Sequence, residues 1–600
     1  MCGIAGRFHP GIPNAPFPVH HQKIAHRGPD EYHSITKPFL EMSTHRLAIV
    51  SQFNGQQPIE DPRSGWIVSM NGEIYNHESL AREAKANGFP PQNPSDTATV
   101  AALLCFLPLE QVIKRLRGMF AFALYHKPSQ KIYLIRDRMG VKPLYWNLRS
   151  GQLSWGSELS ALPTQGLAIH KPAVQQFLLF EYIPAPNTIF EDTYKLKAGE
   201  LLCFSHKGIE RSMWWNPPTI SSETTRDLVP WKKSFQFALQ SAISMRIPSD
   251  MPTAIQLSGG LDSTIIASML PKSTSNIAYC LSFDEVDADE STKAKQVAKL
   301  LGMDLRTVTF HKNDFLPIAE DALSHLSEPC ADSSVLPYWK LLQAVQGDGL
   351  RCMISGDGAD ESLGGYPTYP VISYASLVRR FQSSLQGLLR RVPRTSRSLS
   401  KRNMAKHFVN GLHEVWWKQH MLWMGAWHEG EIPNLHEEAV WAPISFWAQQ
   451  APAHPVARAL YLDQRSYLAE GVLQKVDRVS MAFGVEIRSP FMDDRLVSLM
   501  AELPLNTKMP QKKILREILS QTFPASIHAQ KKQGFGAPLG KWIGSLSFSE
   551  EQKQRLQPYL SIDLLEQYTQ EHHGGYADHR RKLWSAYCLA MWLENHEKGS

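Results

Sequence analysis

The chain has 600 residues, more than one hydrophobic core usually supports, so two or more domains are expected. Its 43% hydrophobic and 20% charged composition is ordinary for a globular protein, and 63 basic against 57 acidic residues leave a net +6, no electrostatic case for a nucleic-acid partner. Seven scattered cysteines without CxxC spacing argue against a disulfide framework or a zinc site; with no apolar run near the roughly 18 residues of a membrane span and no signal-peptide texture in MCGIAGRFHP, the expectation is a reduced, cytoplasmic protein without a membrane partner.

Up to about residue 205 the chain is written in short strand-like runs broken by turn residues, at 66–70, 121–125, 132–135 and 201–204. Helical patterns at 96–106 and 109–116 interrupt them, and the mixture predicts sheets packed face to face with helices outside. The stretch 205–226, rich in Ser, Thr and Pro, reads as a connector. Beyond it strands and helices alternate: a strand at 253–257, a Gly-rich turn, a helix at 263–270, a strand at 277–283, a helix at 290–301 and a strand at 351–355. That alternation predicts a parallel sheet. From about residue 371 onward the pattern is mostly helical and rich in Trp.

Two constellations carry chemistry. A small second residue permits removal of the initiator Met, which leaves Cys2 with a free α-amine able to act as base for its own thiol. Around it stand MCGIAG at the start, HRGPD at 26–30, HRLAIV at 45–50 and NGEIYNH at 71–77. In these strings the first half resembles the class II glutamine amidotransferases. The resemblance implies an Ntn-type αββα sandwich in which Cys2 attacks the side-chain amide of glutamine. It assigns the oxyanion hole to Asn71 and Gly72, the substrate carboxylate to Arg46, and the substrate ammonium to Glu73 and Asp96. Alone, such charges would be read as solvated surface groups. One departure is Ala98, where the family usually has Glu beside the amine pocket.

The second constellation is LSGGLDS at 257–263, between a strand and a helix. Two glycines let backbone approach an anion, and the helix start offers unpaired N–H groups. The string resembles the loop of ATP pyrophosphatases, and the absence of GK[ST] argues against γ-phosphoryl transfer. SGDGADESLGGY at 355–366 follows another strand and resembles the asparagine-synthetase signature. The resemblance implies ATP contacts from Leu257, Ser258, Gly259, Gly260, Asp262, Ser263, Leu281, Ser355 and Gly356, and Mg²⁺ held by Asp262 and Asp360. Asp357, often Glu in the family, is implied in forming an acyl-adenylate, and Lys532, with Lys531 as its neighbour, matches the catalytic lysine. EPCADSS at 328–334, KVDRVSMA at 475–482 and EIRSPFMD at 486–493 extend the likeness over nearly the whole chain.

These matches imply a glutaminase domain at 1–208 and, at 209–600, a parallel-sheet ATP-pyrophosphatase domain with a largely helical C-terminal part. They imply glutamine-dependent, ATP-driven amidation of a carboxylate, with small-molecule partners only and an internal tunnel for ammonia whose candidate wall is 475–493. Aspartate is the leading acceptor; the alternative is another carboxylate, an acidic sugar or a natural-product precursor. Intact Cys2, SGGLDS and both acidic loops disfavour a non-catalytic binding protein. Oligomeric state stays open, a homo-oligomer included.

Overall fold

The computed structural model describes every residue except 1, 14–15, 50–54, 224–226, 249–250, 272–275, 285–290, 392–400, 530–538 and 600. Among the described residues the first half supplies β1 (Cys2–Phe8), β2 (Glu31–Lys37), β3 (Leu40–Arg46), β4 (Ile59–Asp61), β5 (Trp66–Ile74) and β6 (Gly118–His126). Then come β7 (Lys131–Arg136), β8 (Tyr145–Arg149), β9 (Gln152–Gly156), β10 (Thr193–Lys195), β11 (Glu200–Ser205) and β12 (Gly208–Met213). They form two six-stranded antiparallel sheets, in the orders β10-β8-β9-β1-β3-β2 and β12-β11-β7-β6-β5-β4. The stretch expected to be a connector therefore begins with a strand: β12 pairs with β11 from Glu200–Met213 to Ser205–Gly208. Its alternating polar residues, half exposed at a sheet edge, hide the strand behind a loop-like composition.

Strand periodicity decides which side each residue faces. Ile67, Ala121, Ala123, Ile132 and Leu134 point at the first sheet and share a core with Cys2, Ile4, Phe8 and Met42. Val68, Met70, Phe120, Phe122 and Leu124 point the other way, onto the helices His77–Ala86, Asp96–Leu103 and Leu109–Arg115. Odd positions of β5 thus face β1 and β3, and the Ser69–Thr44 hydroxyl pair at 2.8 Å bridges the two sheets. This alternation brings Asn71 and Glu73 to the Cys2 side.

The second half is built on β13 (Thr253–Gln256), β14 (Asn276–Phe283), β15 (Asp304–Phe310), β16 (Cys352–Ile354) and β17 (Glu486–Arg488). All pair in parallel, in the order β15-β14-β13-β16-β17. The chain leaves β13 toward β14, and β16 lies on the other side. The loops after β13 and β16 therefore part at a switch point, where open parallel sheets bind ligands. Helical segments Pro455–Arg465, Tyr467–Val472 and Leu473–Ala482, the middle one a π-turn, run largely buried from the C-terminal part to β17. The Trp-rich region contributes Trp423, Trp427, Trp441 and Trp447 to a core that also takes Phe177, Leu178 and Phe180 from the first half.

Buried charge pairs join the halves. The Arg27 guanidinium, fully buried, lies 2.7 Å from both Glu158 and Asp477, and Lys142 reaches Asp477 at 3.0 Å. Arg136 meets Glu470 at 2.8 Å, and one Arg117 nitrogen sits 2.9 Å from both Asp493 oxygens. Removing one partner of such a pair strands the other in a low dielectric, so these contacts specify how the halves dock more than they add net stability.

Candidate active site

Cys2 opens β1, buried, with Arg46 as its cross-strand partner on β3. Its backbone N–H donates to Asn71 Oδ1 at 3.3 Å, while the buried Asn71 Nδ2 has no hydrogen-bond partner among the described residues. A buried donor left unmatched beside a thiol is costly unless a ligand supplies the acceptor. Burial pushes the Cys2 thiol up, against the pull of the Arg46 guanidinium. Gly72 has φ +149°, and a Cβ there would come within 2.1 Å of the Met119 carbonyl, so only glycine allows β5 and β6 to pair so closely.

Arg46 lies 3.1 Å from Glu31, and Gly55 packs on its guanidinium so closely that a Cβ would sit 2.3 Å from Nη2. Glu73 is buried, which raises its pKa, and the Arg488 guanidinium at 3.4 Å opposes that rise. Asp96 starts its helix, accepting from the Ile74 and Thr97 N–H groups at 3.0 and 2.8 Å. Ala98, buried at the third position of that helix, belongs to the helix–sheet core. A Glu there would complete a capping box with Ser95; here Ser95 caps alone, accepting from the Ala98 N–H at 3.1 Å. The departure thus removes the second half of a capping box at this helix start.

In the second half the helix begins at Leu261, two residues earlier than its periodicity predicts, which puts Asp262 in the first turn. The loop folds on its own hydroxyls: Ser258 N–H donates to Ser263 Oγ at 3.2 Å, Gly260 N–H to Ser258 Oγ at 3.2 Å, and Ser263 Oγ to the Gly260 carbonyl at 3.3 Å. Gly259, at φ +75°, lies against the Ala294 N–H, and Gly356 packs on Asp262, so the two loops touch. Asp357 accepts from Ser355 Oγ at 2.6 Å, and its carbonyl accepts from Ser489 Oγ at 2.5 Å. Burial raises the Asp357 carboxyl, with Ser355 and Lys475 pulling the other way. Leu257 and Leu281 are both buried near the ends of adjacent strands and pack in different core clusters.

Asp262 and Asp360 converge on one ammonium, that of Lys512, which lies 2.7 Å from Asp360 and also contacts Asp262. Burial disfavours the charge of Lys512, but the two carboxylates outweigh it and hold the pKa above its usual value. Lys512 itself adopts a left-handed backbone (φ +58°), as does Gln511 (φ +51°), a strained presentation typical of functional sites. Two carboxylates that already balance a cation, beside a phosphate-type loop, are a donor set that fits Mg²⁺, a hard ion taking one or two carboxylates plus phosphate oxygens.

Sequence patterns missed Lys512 and Gln57, and gave Arg488, inside EIRSPFMD, no role beside Glu73. The Gln57 Nε2 donates to Cys2 Sγ at 3.0 Å while its Oε1 accepts from the Met70 N–H at 2.7 Å. Only KILR at 513–516, a helix opening, marks the neighbourhood of Lys512. Lys531 and Lys532 lie outside the described residues. The charged groups near the loops are already engaged: Asp332 with Lys475 at 2.7 Å, Glu361 with the Tyr366 hydroxyl at 2.5 Å, and Arg478 with Glu328 at 2.6 Å.

Comparison with known proteins identifies the family. Residues 234–594 match the family model for asparagine synthase, and residues 1–215 that for the glutamine amidotransferase domain. Glutamine-hydrolyzing asparagine synthetase 1 of Bacillus subtilis is 26% identical, covering 99% of this chain and 96% of its own. A putative glutamine-hydrolyzing asparagine synthetase of Mycobacterium tuberculosis is 25% identical over 95% and 92%. Amidase chry2 of Gibberella zeae is 25% identical over 91% and 90%. No helix among the described residues is long and apolar enough to cross a membrane. The chain belongs to the asparagine synthase family and is a glutamine-dependent, asparagine synthetase-like amidotransferase, a ligase of a family that uses ATP.

Proposed function

We propose that the enzyme converts aspartate to asparagine, activating the acceptor carboxylate as an acyl-adenylate and taking ammonia from glutamine. The observation that carries the two-site reading is the pairing of a buried Cys2 beside the unmatched Asn71 Nδ2 with two acidic loops at the switch point of one parallel sheet. Cys2 attacks the glutamine amide, and the Asn71 amide with the Gly72 N–H receives the developing oxyanion. Arg46 takes the substrate carboxylate, and Glu73 and Asp96 take its ammonium. Bound Mg²⁺, held by Asp262 and Asp360, would offset charge on the phosphates of ATP. Lys512, already between these carboxylates, stands ready to contact pyrophosphate.

Residues 475–493 touch both ends: Arg488 reaches Glu73, while Ser489 bonds Asp357 and Lys475 bonds Asp332. A small cavity of mixed lining drawn from both halves, Ile183, Lys195 and Leu326 among them with Gln474, Lys475 and Arg478, supports this stretch as the wall of an ammonia passage. The units proposed are a glutaminase at 1–208, extended through β12 to Met213, and a synthetase beyond it.

Full-length likeness to glutamine-hydrolyzing asparagine synthetases favours aspartate. Likeness of nearly the same span and identity to a fungal amidase favours the second reading, amidation of another carboxylate by the same chemistry. Pyrophosphate release, followed across a panel of carboxylic acids with glutamine and MgATP, separates them. Stimulation by aspartate supports the first; stimulation by another acid alone replaces it with the second.

A further inference from the structure

β4 pairs with β5 only as far as Ile59 opposite Val68. Two positions beyond that pair the ladder would set Gln57 against Met70, and there the Gln57 side chain takes over from the backbone: its Oε1 accepts from the Met70 N–H at 2.7 Å. That bond fixes which way the amide points, because a flipped amide would set N–H against N–H. The Gln57 Nε2 is thereby aimed at Cys2 Sγ, 3.0 Å away, as close as an ordinary N–H···O bond although sulfur is the larger atom. Gln57 is 4% exposed and Cys2 3%, so neither group is shared with bulk water.

We infer that Gln57 is a catalytic residue of the glutaminase site, the donor that favours Cys2 sulfur as a thiolate and directs it at the substrate. A thiol is a weak acceptor, whereas a thiolate makes a charge-assisted bond, so a buried amide N–H aimed at sulfur favours the anion. Burial, the largest influence on the thiol, works against the anion; the amino terminus and Arg46 on β3 favour it, Asp96 at its helix start opposes it, and the Leu47 N–H favours it. Glu73, on the face of β5 turned toward Cys2, feels the same amino terminus. The Gln57 donor acts twice. The thiol proton passes to the α-amine and sulfur attacks, the C–S bond forming as the amide carbonyl becomes the oxyanion; ammonia then leaves with that proton. Water next adds to the thioester, the C–S bond breaks, and sulfur departs as thiolate, again opposite Gln57. The inference rests on the reading of Cys2 as the nucleophile. A merely structural Gln57 would need only its Oε1.

The test is the pH dependence of Cys2 alkylation by iodoacetamide in the full-length enzyme, scored by mass spectrometry on the N-terminal peptide, in wild type, Gln57→Met and Gln57→Glu. Gln57→Glu keeps one oxygen for the Met70 N–H and sets the other, on an anion, against sulfur. The alkylation midpoint is expected to rise by about one pH unit in Gln57→Met and by more in Gln57→Glu. Alkylation and glutamine-supported kcat near neutral pH should each fall about tenfold or more. Melting temperature is the folding control, and if Gln57→Met does not fold, Gln57→Glu alone carries the test. A wild-type midpoint in Gln57→Glu, whatever Gln57→Met does, leaves Gln57 as packing and overturns the inference. Alkylation that leaves wild-type glutamine turnover intact instead removes Cys2 as the nucleophile, and the inference falls with that reading.

Discussion

Replacing Lys512 by Met tests the electrostatics of the proposed nucleotide site without touching a carboxylate. The Lys512 side chain is 6% exposed, and Asp262 and Asp360 are 22% and 19% exposed, so its loss leaves two partly desolvated carboxylates facing each other. Two such groups roughly 5 Å apart repel by about 3 kcal/mol at an effective dielectric near 20. Breaking a buried pair from one side costs about 3–5 kcal/mol, and the residual exposure here puts the expectation at the lower end, about 3 kcal/mol. The sign with pH follows from linkage. The Lys512 pKa is raised above 10.5, so its stabilisation is fully present below that value and is lost only as pH rises beyond it. Wild type therefore shows no Lys512-dependent loss between about pH 6 and 9. In the variant the two carboxylates come to share a proton, so its deficit shrinks as pH falls toward about 5. Thermal unfolding in metal-free buffer should show a lower midpoint for Lys512→Met, and added Mg²⁺ should recover part of it. A variant that melts with wild type, or one indifferent to Mg²⁺, refutes the placement of cation charge at these carboxylates.

Three further outcomes are expected. Cys2→Ala loses glutamine-supported turnover by about a thousandfold or more yet keeps ammonium-supported product formation; surviving glutamine-dependent activity would remove Cys2 from the reaction. Arg488→Met lets burial raise Glu73 further, so KM for glutamine rises about tenfold and more steeply as pH falls, while ammonium-dependent turnover stays; an unchanged KM would show that Glu73 does not meet the substrate ammonium. Glu158→Gln addresses the joint between the halves. Burial alone would raise Glu158, but His26 and Arg27 pull it from 4.5 down to about 2. Its contribution, about 3 kcal/mol, is present above 4.5 and lost as pH falls toward 2, so acid denaturation of Glu158→Gln should be flatter across that window; parallel acid curves would contradict the pairing.

Much of this was readable along the chain because the signals are local. The apolar run at 66–70 foretells a strand, and carrying its period of two onward through the observed Trp66–Ile74 puts Asn71 and Glu73 on one face. The Ser-Gly-Gly-Leu-Asp-Ser turn announces an anion loop wherever a strand meets a helix. What escaped depends on distance in sequence. Lys512 meets Asp262 from 250 positions away, and Arg488 meets Glu73 from 415; no window contains both partners. Gln57 sits beside Cys2 by the stacking of two sheets, and neither neighbour in its own sequence hints at it. The edge strand β12 and the three-residue β17 are too short or too polar to stand out from loops.

The most direct test of the account uses aspartate labelled with ¹⁸O in its side-chain carboxylate, incubated with glutamine, ATP and Mg²⁺. An acyl-adenylate breaks one labelled C–O bond as ammonia attacks, so the account predicts asparagine together with pyrophosphate and AMP that carries one ¹⁸O. Unlabelled AMP, or ADP and phosphate as products, would contradict it.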